Sequence, residues 1–319
     1  MNYTNLDIIS LGETMIELYG TGSLSQSASF NKSYAGDTMN IINMASKLGA
    51  KCGYITKLGD DPFKDYLENE WKLNNIDLTC TQIVEGFNAV HFTVLQNDNN
   101  RQFVYYRKGS AASKIDESMI NDEYLASSKI FHTSSLTQCI SETSRIAVEK
   151  FLKKSKDLNL ITSFDTNFRS NIWSAKNAKS AIDDIIKYVD ILAPSFPEEV
   201  NDVFELDSPI EMIKYGLEKG CKIVVVKCGE SGAYIGTSNK IIKSDSYTPK
   251  GLIDTTGAGD AFMGGFLYSY LNPKHDLDLN LKYAIISAGL KVSARGGIES
   301  QPSKNDVEKY LNLPEIIII

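Results

Sequence analysis

Between residues 129 and 227 short apolar runs alternate with longer amphipathic stretches, and this alternation restricts the possible folds more than any other feature. The apolar runs are 130–133, 160–165, 189–193 and 222–227, and the amphipathic stretches are 142–157, 174–187 and 208–219. Strands that alternate with helices form a mostly parallel sheet covered by helices on both faces. Ligands bind such sheets at the carboxyl ends of the strands. We therefore predict an α/β fold with its site at that edge.

The first third of the chain predicts a second, smaller sheet. It would be formed by roughly 13–34 and 88–108: residues 13–30 alternate loosely and indicate strand and loop, 89–95 and 101–106 are rich in β-forming residues, and the polar run 96–100 is typical of a hairpin turn. We expect these segments to lie apart from the main core, within a single domain spanning 1–319.

Residues 254–262 predict a loop that leads directly into a helix, because two threonines typical of helix caps precede an apolar pattern at helical spacing. The small residues Gly257, Ala258 and Gly259 let the backbone approach a ligand, and the first helical N–H groups carry the positive end of the helix dipole. We predict a phosphate site, with Asp260 as a base that accepts a proton from an attacking hydroxyl. The alternative is a glycine turn whose acidic residue merely favours the dipole.

Two other phosphate-binding motifs are excluded. Phe262 stands where a dinucleotide fingerprint has its third glycine, and no Gly-Lys-Ser/Thr follows a glycine-rich run.

Composition and patterning exclude several protein classes. A net charge of −7 argues against nucleic-acid binding. The five cysteines show no C-x-x-C spacing and the three histidines lie far apart, which predicts reduced thiols and no zinc site. The N-terminus lacks the pattern of a signal peptide, and the apolar tail 316–319 is too short to span a membrane. We expect a cytoplasmic protein that binds neither nucleic acid nor membrane.

Residues 254–262 resemble the C-terminal signature of the PfkB-type, or ribokinase-like, sugar kinases, and residues 35–61 resemble the N-terminal signature. The resemblance covers nearly the full chain. It implies a ribokinase-like three-layer fold, ATP as the phosphoryl donor, and Asp260 as the catalytic base beside an anion hole formed by the three preceding amides. It also implies that the small sheet is a lid over the sugar and the surface of a homodimer or higher homo-oligomer.

Further sugar and phosphate contacts follow from the resemblance. Gly36, Asp37 and Asn40 would bind the sugar; from the residues alone they are a turn glycine, a capping residue and a polar residue near a cap. Asn167 and Arg169 follow a predicted strand directly, where a guanidinium can cover phosphate oxygens. The motif resembles a subgroup acting on 2-keto-3-deoxygluconate, and the alternative is a surface arginine in a loop.

The resemblance places the nucleotide at a strand end that turns through two glycines, with Lys227, Gly229 and Gly232 as contacts. By itself this pattern indicates only a turn. The helix predicted at 281–292, including Ser287, would form the wall against the adenine.

Metal sites are implied at two places. Glu198 would organise Mg²⁺ through water, although Ser195 replaces the usual asparagine of that motif and Glu199 competes for the role. A carboxylate that caps a helix is the alternative. Asp254 and Thr256, with carbonyls of the turn that follows the 281–292 helix, resemble the family's monovalent-cation site, for which K⁺ is the candidate.

Tyr105 and Arg107 discriminate best between sugars. Alternation along a strand sends both side chains to one face, where they suit a substrate carboxylate; the alternative is an edge arginine that faces water. With the motifs at 36–40 and 167–169, this segment resembles kinases that phosphorylate the terminal hydroxyl of 2-keto-3-deoxygluconate, although Gly297 stands where these often carry aspartate. A fructokinase or other neutral-sugar kinase stays open, as does a non-catalytic module that binds a sugar acid.

Overall fold

The computed structural model describes residues 5–95, 101–313 and 315–319, so the predicted hairpin turn at 96–100 lies outside the described residues. In chain order the strands are β1 (Ile8–Leu11), β2 (Met15–Thr21), β3 (Asn31–Ala35), β4 (Cys52–Gly59), β5 (Ile76–Asp77), β6 (Thr81–Val84), β7 (Val90–Leu95), β8 (Arg101–Tyr106), β9 (Ile130–Ser134), β10 (Ile161–Asp165), β11 (Ile191–Ala193), β12 (Ile223–Lys227), β13 (Ala233–Gly236), β14 (Ile241–Ser244) and β15 (Ile317–Ile318). The α-helices are α1 (Asp37–Leu48), α2 (Phe63–Leu73), α3 (Asp122–Ala126), α4 (Ser135–Gln138), α5 (Glu142–Asp157), α6 (Ala175–Ile185), α7 (Glu198–Asp202), α8 (Pro209–Glu218), α9 (Ala258–Tyr270), α10 (Leu277–Lys291) and α11 (Lys304–Glu308).

The main sheet has the strand order β15-β14-β13-β12-β11-β10-β9-β1-β4-β5, and β6 also pairs with β4. The strands from β12 to β5 run parallel, and β13, β14 and β15 are antiparallel additions at the other edge. The predicted mostly parallel sheet is therefore confirmed. The predicted helix at 142–157 matches α5 residue for residue. Helix α10 begins one turn earlier than predicted, because the Asp276 side chain caps it by accepting the Leu279 N–H.

Both faces of the main sheet are covered by helices. Val224 and Val226 of β12 lie in the apolar cluster shared with α5, α6 and α8, whereas Val225 lies in the cluster shared with α1, α9 and α10. This alternation follows from the period of two residues along a strand. The result is three layers, with the carboxyl ends of the central strands exposed at one edge.

Strands β2, β3, β7 and β8 form the separate small sheet, in the order β3-β2-β7-β8. Strand β2 is parallel to β7, and the other two pairings are antiparallel. The register places Tyr105 opposite His91. None of the helices within the described ranges is long and apolar enough to cross a membrane.

Candidate active site

Helix α9 starts at the edge of the main sheet, where its first amides face a cleft. Gly257 precedes it with φ of +70°, a left-handed conformation that glycine adopts without strain. Among the described residues no side chain caps this helix start. The first turn therefore offers backbone N–H donors and the positive end of the dipole to a ligand, as the sequence predicts.

Asp260 lies in the first turn of α9, and the Asn40 amide of α1 donates to its Oδ2 at 2.7 Å. Loss of hydration and the nearby charge of Asp37 raise the pKa of Asp260 from 3.8 to about 7. A carboxylate with this pKa can accept a proton near neutral pH, which is the property of a general base. The structure thus brings together two predicted site residues that are 220 positions apart.

Asp37 is the first residue of α1, and Gly36 takes the capping position, so the interpretation of Asp37 as a helix cap is wrong. Its carboxylate accepts the Thr38 N–H at 2.8 Å and the Asn167 amide at 3.0 Å. Burial raises the pKa of this carboxyl above its usual range. Asp37 and Asn167 therefore contact each other, and both lie beside the Asp260 region.

The floor of the cleft holds a buried ion pair between β10 and β12. The Lys227 ammonium donates to both carboxylate oxygens of Asp165, at 2.6 and 2.7 Å, and both side chains are at most 10% exposed. A methyl group placed on Gly259 would lie 3.9 Å from the ammonium nitrogen, so this cation sits directly below the helix start. Lys227 lines the cleft as expected, but its ammonium forms an ion pair with the Asp165 carboxylate. The sequence signal for Asp165 is a charged residue at the carboxyl end of an apolar strand.

A cavity of about 780 Å³ opens beside these residues. Its wall is formed by the apolar face of α10, and its far side by the turn Cys228–Gly232, in which Gly229 and Gly232 have φ of +54° and +87°. The cavity ends at Ala258 and Gly259. An apolar slot that leads to backbone donors is suited to a nucleotide with its phosphates at the helix.

Ser287, the predicted nucleotide contact on α10, does not line this cavity. Ser287 is fully buried, and its hydroxyl faces Gly265 of α9 instead of the cavity. The residues of α10 that line the cavity are Ile285, Ala288 and Gly289, and Val292 lines it directly after the helix. One step along a helix turns the side chain by about 100°, so an error of one residue in the phase selects the wrong face.

The two adjacent glutamates of α7 separate into different environments. Glu198 is exposed and lines the cavity. Glu199 is buried, and its carboxylate accepts the N–H groups of Ser195 and Phe168, each at 2.8 Å, and the Thr166 hydroxyl. Glu199 therefore braces the strand ends, and Glu198 is the one placed to meet a ligand. Within the described ranges no three side chains of the metal-ligating kinds cluster together.

Tyr105 of β8 feels the charges of two arginines, Arg107 directly after β8 and Arg169 in the loop after β10. Burial raises the pKa of the Tyr105 phenol, and the positive charges of Arg169 and Arg107 oppose that rise. Arg107 is not directed at water: it pairs with buried Glu13 at 2.7 Å, and the Ser110 hydroxyl donates to the same carboxyl at 3.0 Å. Arg169 donates to the carbonyl of Phe168 at 3.1 Å, and its charge reaches the Tyr105 phenol. Glu13, which sequence reasoning missed, neutralises Arg107.

The loop after α10 joins several parts of the site. The Glu299 carboxylate accepts the Ser33 hydroxyl from the small sheet. The Gln301 amide donates to the carbonyl of Asn40 at 2.8 Å. Where the sequence has Gly297, the carboxylate of Glu17 lies 4.0 Å from the position of a methyl group on that glycine, so the small sheet supplies an acidic group there. Glu17 was not predicted as a site residue, because it lies on β2, far in sequence from Gly297.

Of the predicted cation ligands, Asp254 makes several hydrogen bonds within the protein, and Thr256 contributes its N–H to one of them. The Asp254 carboxylate accepts the Thr256 N–H at 2.8 Å and the Gly296 N–H at 3.0 Å. The carbonyl of Asp254 accepts the ammonium of Lys291 at 3.0 Å. Lys291 was not among the predicted site residues.

Comparisons with known proteins agree with this geometry. Residues 5–304 match the model of the pfkB family carbohydrate kinases. The chain is 30% identical to a 2-dehydro-3-deoxygluconokinase from Thermoproteus tenax, over 96% of this chain and 94% of that one. It is 31% identical to a protein named Probable fructokinase-5 from Arabidopsis thaliana, over 95% and 97%. The structure of an uncharacterized sugar kinase from Pyrococcus horikoshii in complex with ATP superimposes with a TM-score of 0.79 and 28% identity, covering 95% and 97%.

Proposed function

The chain belongs to the pfkB family of carbohydrate kinases, and we propose that it phosphorylates 2-keto-3-deoxygluconate. The reaction transfers the γ-phosphoryl group of ATP to the terminal hydroxyl and gives 2-keto-3-deoxy-6-phosphogluconate. The relative from Thermoproteus tenax supports this substrate class. The observation that carries the proposal is that the charges of both Arg169 and Arg107 oppose the rise that burial causes in the pKa of the Tyr105 phenol, so two positive charges act on this part of the site.

Asp260 takes the proton of the sugar hydroxyl as its oxygen attacks phosphorus. The amides of Gly257 and Gly259, with that of Ala258, whose N–H donates to the carbonyl of Thr255 at 3.1 Å in this structure, would stabilise the negative charge on the transferred group. Asn40 orients the Asp260 carboxylate through the hydrogen bond at 2.7 Å. Gly36 and Asp37 lie at the start of α1, the helix that carries Asn40, and would bind the sugar.

A sugar carboxylate requires net positive charge at the small sheet. Arg107 shares its charge with Glu13 at 2.7 Å, so Arg169 supplies the charge that Glu13 does not neutralise. Tyr105 lies beside both and adds a directed hydrogen bond through its phenol. The two arginines therefore have different roles: Arg107 shapes the pocket, and Arg169 attracts the anion.

ATP fits the cavity described above, with its base against α10 and its phosphates at the start of α9. Glu198 at the cavity edge would hold the Mg²⁺ of the nucleotide through water, since Mg²⁺ bound to nucleotides commonly uses one or two carboxylates plus phosphate oxygens. That ion would neutralise charge on the phosphates.

The small sheet acts as the lid over the sugar and as the surface of a homodimer. Its aromatic side chains Phe103 and Tyr106 are 38% and 61% exposed. Exposed aromatic residues on a sheet are enriched at protein interfaces.

The second candidate is a fructokinase, supported by 31% identity to the Arabidopsis thaliana relative. The pair between Arg107 and Glu13 favours this candidate in one respect, because it removes a charge that a sugar acid would use. The two candidates differ in whether turnover depends on Arg169.

The test is an ADP-release assay with Mg-ATP and a panel of 2-keto-3-deoxygluconate, 2-keto-3-deoxygalactonate, fructose, ribose and gluconate. Arg169→Ala should raise the KM for the preferred keto-deoxy acid by about 10- to 100-fold, the value of a charge-assisted hydrogen bond. Arg145→Ala on the surface of α5 is the matched control and should match wild type. Arg107→Ala is a poorer test, because it leaves Glu13 buried without its partner.

Preference for fructose together with an unchanged KM in Arg169→Ala would reject the sugar acid and favour the fructokinase. Absence of ADP release with every sugar would favour a binding module instead of an enzyme.

A further inference from the structure

Lys291 is a fully buried lysine in the last turn of α10, with an exposure of 0%. Lysine is almost never fully buried unless its charge has a partner. Its ammonium donates to the carbonyl of Asp254 at 3.0 Å. Asp254 begins the loop that leads to Gly257, Ala258 and Gly259, so Lys291 contacts this loop from the side of α10.

The loop is attached to the end of α10 at several points. The N–H groups of Ile253 and Asp254 both donate to the carbonyl of Val292, at 2.7 and 3.0 Å. The Asp254 carboxylate accepts the N–H groups of Thr256 and Gly296. Asp254 is therefore held through its N–H, its carbonyl and its carboxylate, and Lys291 provides the charged part of that attachment.

The Asp254 ligands do not fit a bound monovalent cation. A cation such as K⁺ needs carbonyl and carboxylate oxygens that point toward it. The Asp254 carbonyl instead accepts the Lys291 ammonium, and the carboxylate accepts two backbone N–H groups. The Lys291 nitrogen thus already occupies the carbonyl that a cation would use, and it is covalently part of the chain.

We propose that the Lys291 ammonium replaces a dissociable monovalent cation and positions the 254–256 loop, so that the anion hole is aligned without K⁺. Lys291 is a positioning residue, because it acts through Asp254 and not on the substrate. The inference rests on phosphoryl transfer at Asp260, and it adds that this transfer is independent of monovalent cations.

The first experiment uses the wild-type chain and needs no variant. Turnover and Tm are measured in KCl, NaCl and choline chloride at equal ionic strength. We expect turnover to agree within twofold and Tm to agree within about 1 °C across the three salts. Saturable activation of tenfold or more by KCl, or a Tm that rises with KCl alone, would overturn the proposal.

The second experiment replaces Lys291 by methionine, which has a similar length but no charge. Lys291→Met should lose at least tenfold in kcat with little change in the sugar KM, and K⁺ or NH₄⁺ should restore part of kcat and raise Tm. Lys282→Met, on the same helix and half-buried, is the matched control and should show neither effect. A Lys291→Met variant that folds and turns over like wild type in choline would refute the role.

The readouts separate this inference from the proposed function. If no sugar supports turnover, the proposed function fails, and the K⁺ dependence of Tm in Lys291→Met still decides whether the ammonium stands in for a cation. If Lys291→Met does not fold, the salt series on the wild-type chain decides the question.

Discussion

Asp260→Asn removes the proposed base while keeping its shape. Asparagine still offers an oxygen to the Asn40 amide, which donates to Asp260 Oδ2 at 2.7 Å. The side chain can no longer take the sugar proton, so kcat should fall by ~10²–10⁴-fold, the usual contribution of a general base. Binding of ATP should change little, because the anion-hole amides remain in place.

The same substitution should stabilise the fold, and the gain should depend on pH. The pKa of Asp260 is raised from 3.8 to about 7, so above pH 4 the unfolded chain ionises this group before the folded chain does. That difference favours unfolding progressively between about pH 4 and pH 7, and the full penalty applies above pH 7. At about 1.4 kcal/mol per pH unit it amounts to at most about 4 kcal/mol at pH 8, and to about 2 kcal/mol at pH 5.

The assay measures thermal unfolding of wild type and Asp260→Asn at pH 5 and pH 8, beside turnover at pH 8. Asp65→Asn on the exposed face of α2 serves as the control, with no expected change in either quantity. We expect a higher Tm for Asp260→Asn at both pH values and a larger gain at pH 8. A turnover within tenfold of wild type would reject the catalytic role, and an equal gain in Tm at both pH values would reject the raised pKa.

Three further predictions follow from the site. Because the base must be unprotonated, kcat/KM should rise about tenfold per pH unit below pH 6 and level off above pH 7, as a pH series of initial rates would measure; a flat profile would contradict the pKa of about 7 for Asp260. Lys227→Met leaves Asp165 buried without its cation and should lower the free energy of unfolding by about 3–5 kcal/mol in urea titrations, with part regained in the double variant with Asp165→Asn. Ala288→Leu should raise the KM for ATP because Ala288 lines the cavity, whereas Ser287→Ala should leave it unchanged; equal effects would show that the cavity is not the nucleotide site.

The sequence predicts those structural features that are determined by residues adjacent in the chain. Burial on both faces makes strands such as β12 continuously apolar, and periodicity locates α5 to the residue. The loop at 254–260 is predicted because its turn glycine, its small residues and its helix start are adjacent in the chain. The placement of Asp260 at a helix N-terminus is therefore the most predictable part of the site.

Pairings between distant segments could not be predicted in the same way. Lys227 and Asp165 are separated by 62 positions, and Arg107 and Glu13 by 94, so neither residue alone indicates its partner. The ion-pair partner decides the role of a charged residue. In the sequence Arg107 is predicted to bind a substrate carboxylate, whereas in the structure it forms a buried ion pair with Glu13. The position of Ser287 away from the cavity could not be predicted for another reason. To predict which residues of a helix face a cavity, the rotation of the helix about its axis must be known to within one residue.

The residues after α10 connect the proposed phosphate site with the proposed sugar site. Within six positions, Gly296 holds Asp254 behind the anion hole, Glu299 binds Ser33 of the small sheet, and Gln301 binds the carbonyl of Asn40, whose side chain orients Asp260. A displacement of the small sheet on arrival of the sugar would therefore reach the catalytic carboxylate and the phosphate site through one short segment. Such a linkage would couple occupancy of the sugar pocket to the position of the proposed base, which would disfavour phosphoryl transfer to water when no sugar is bound.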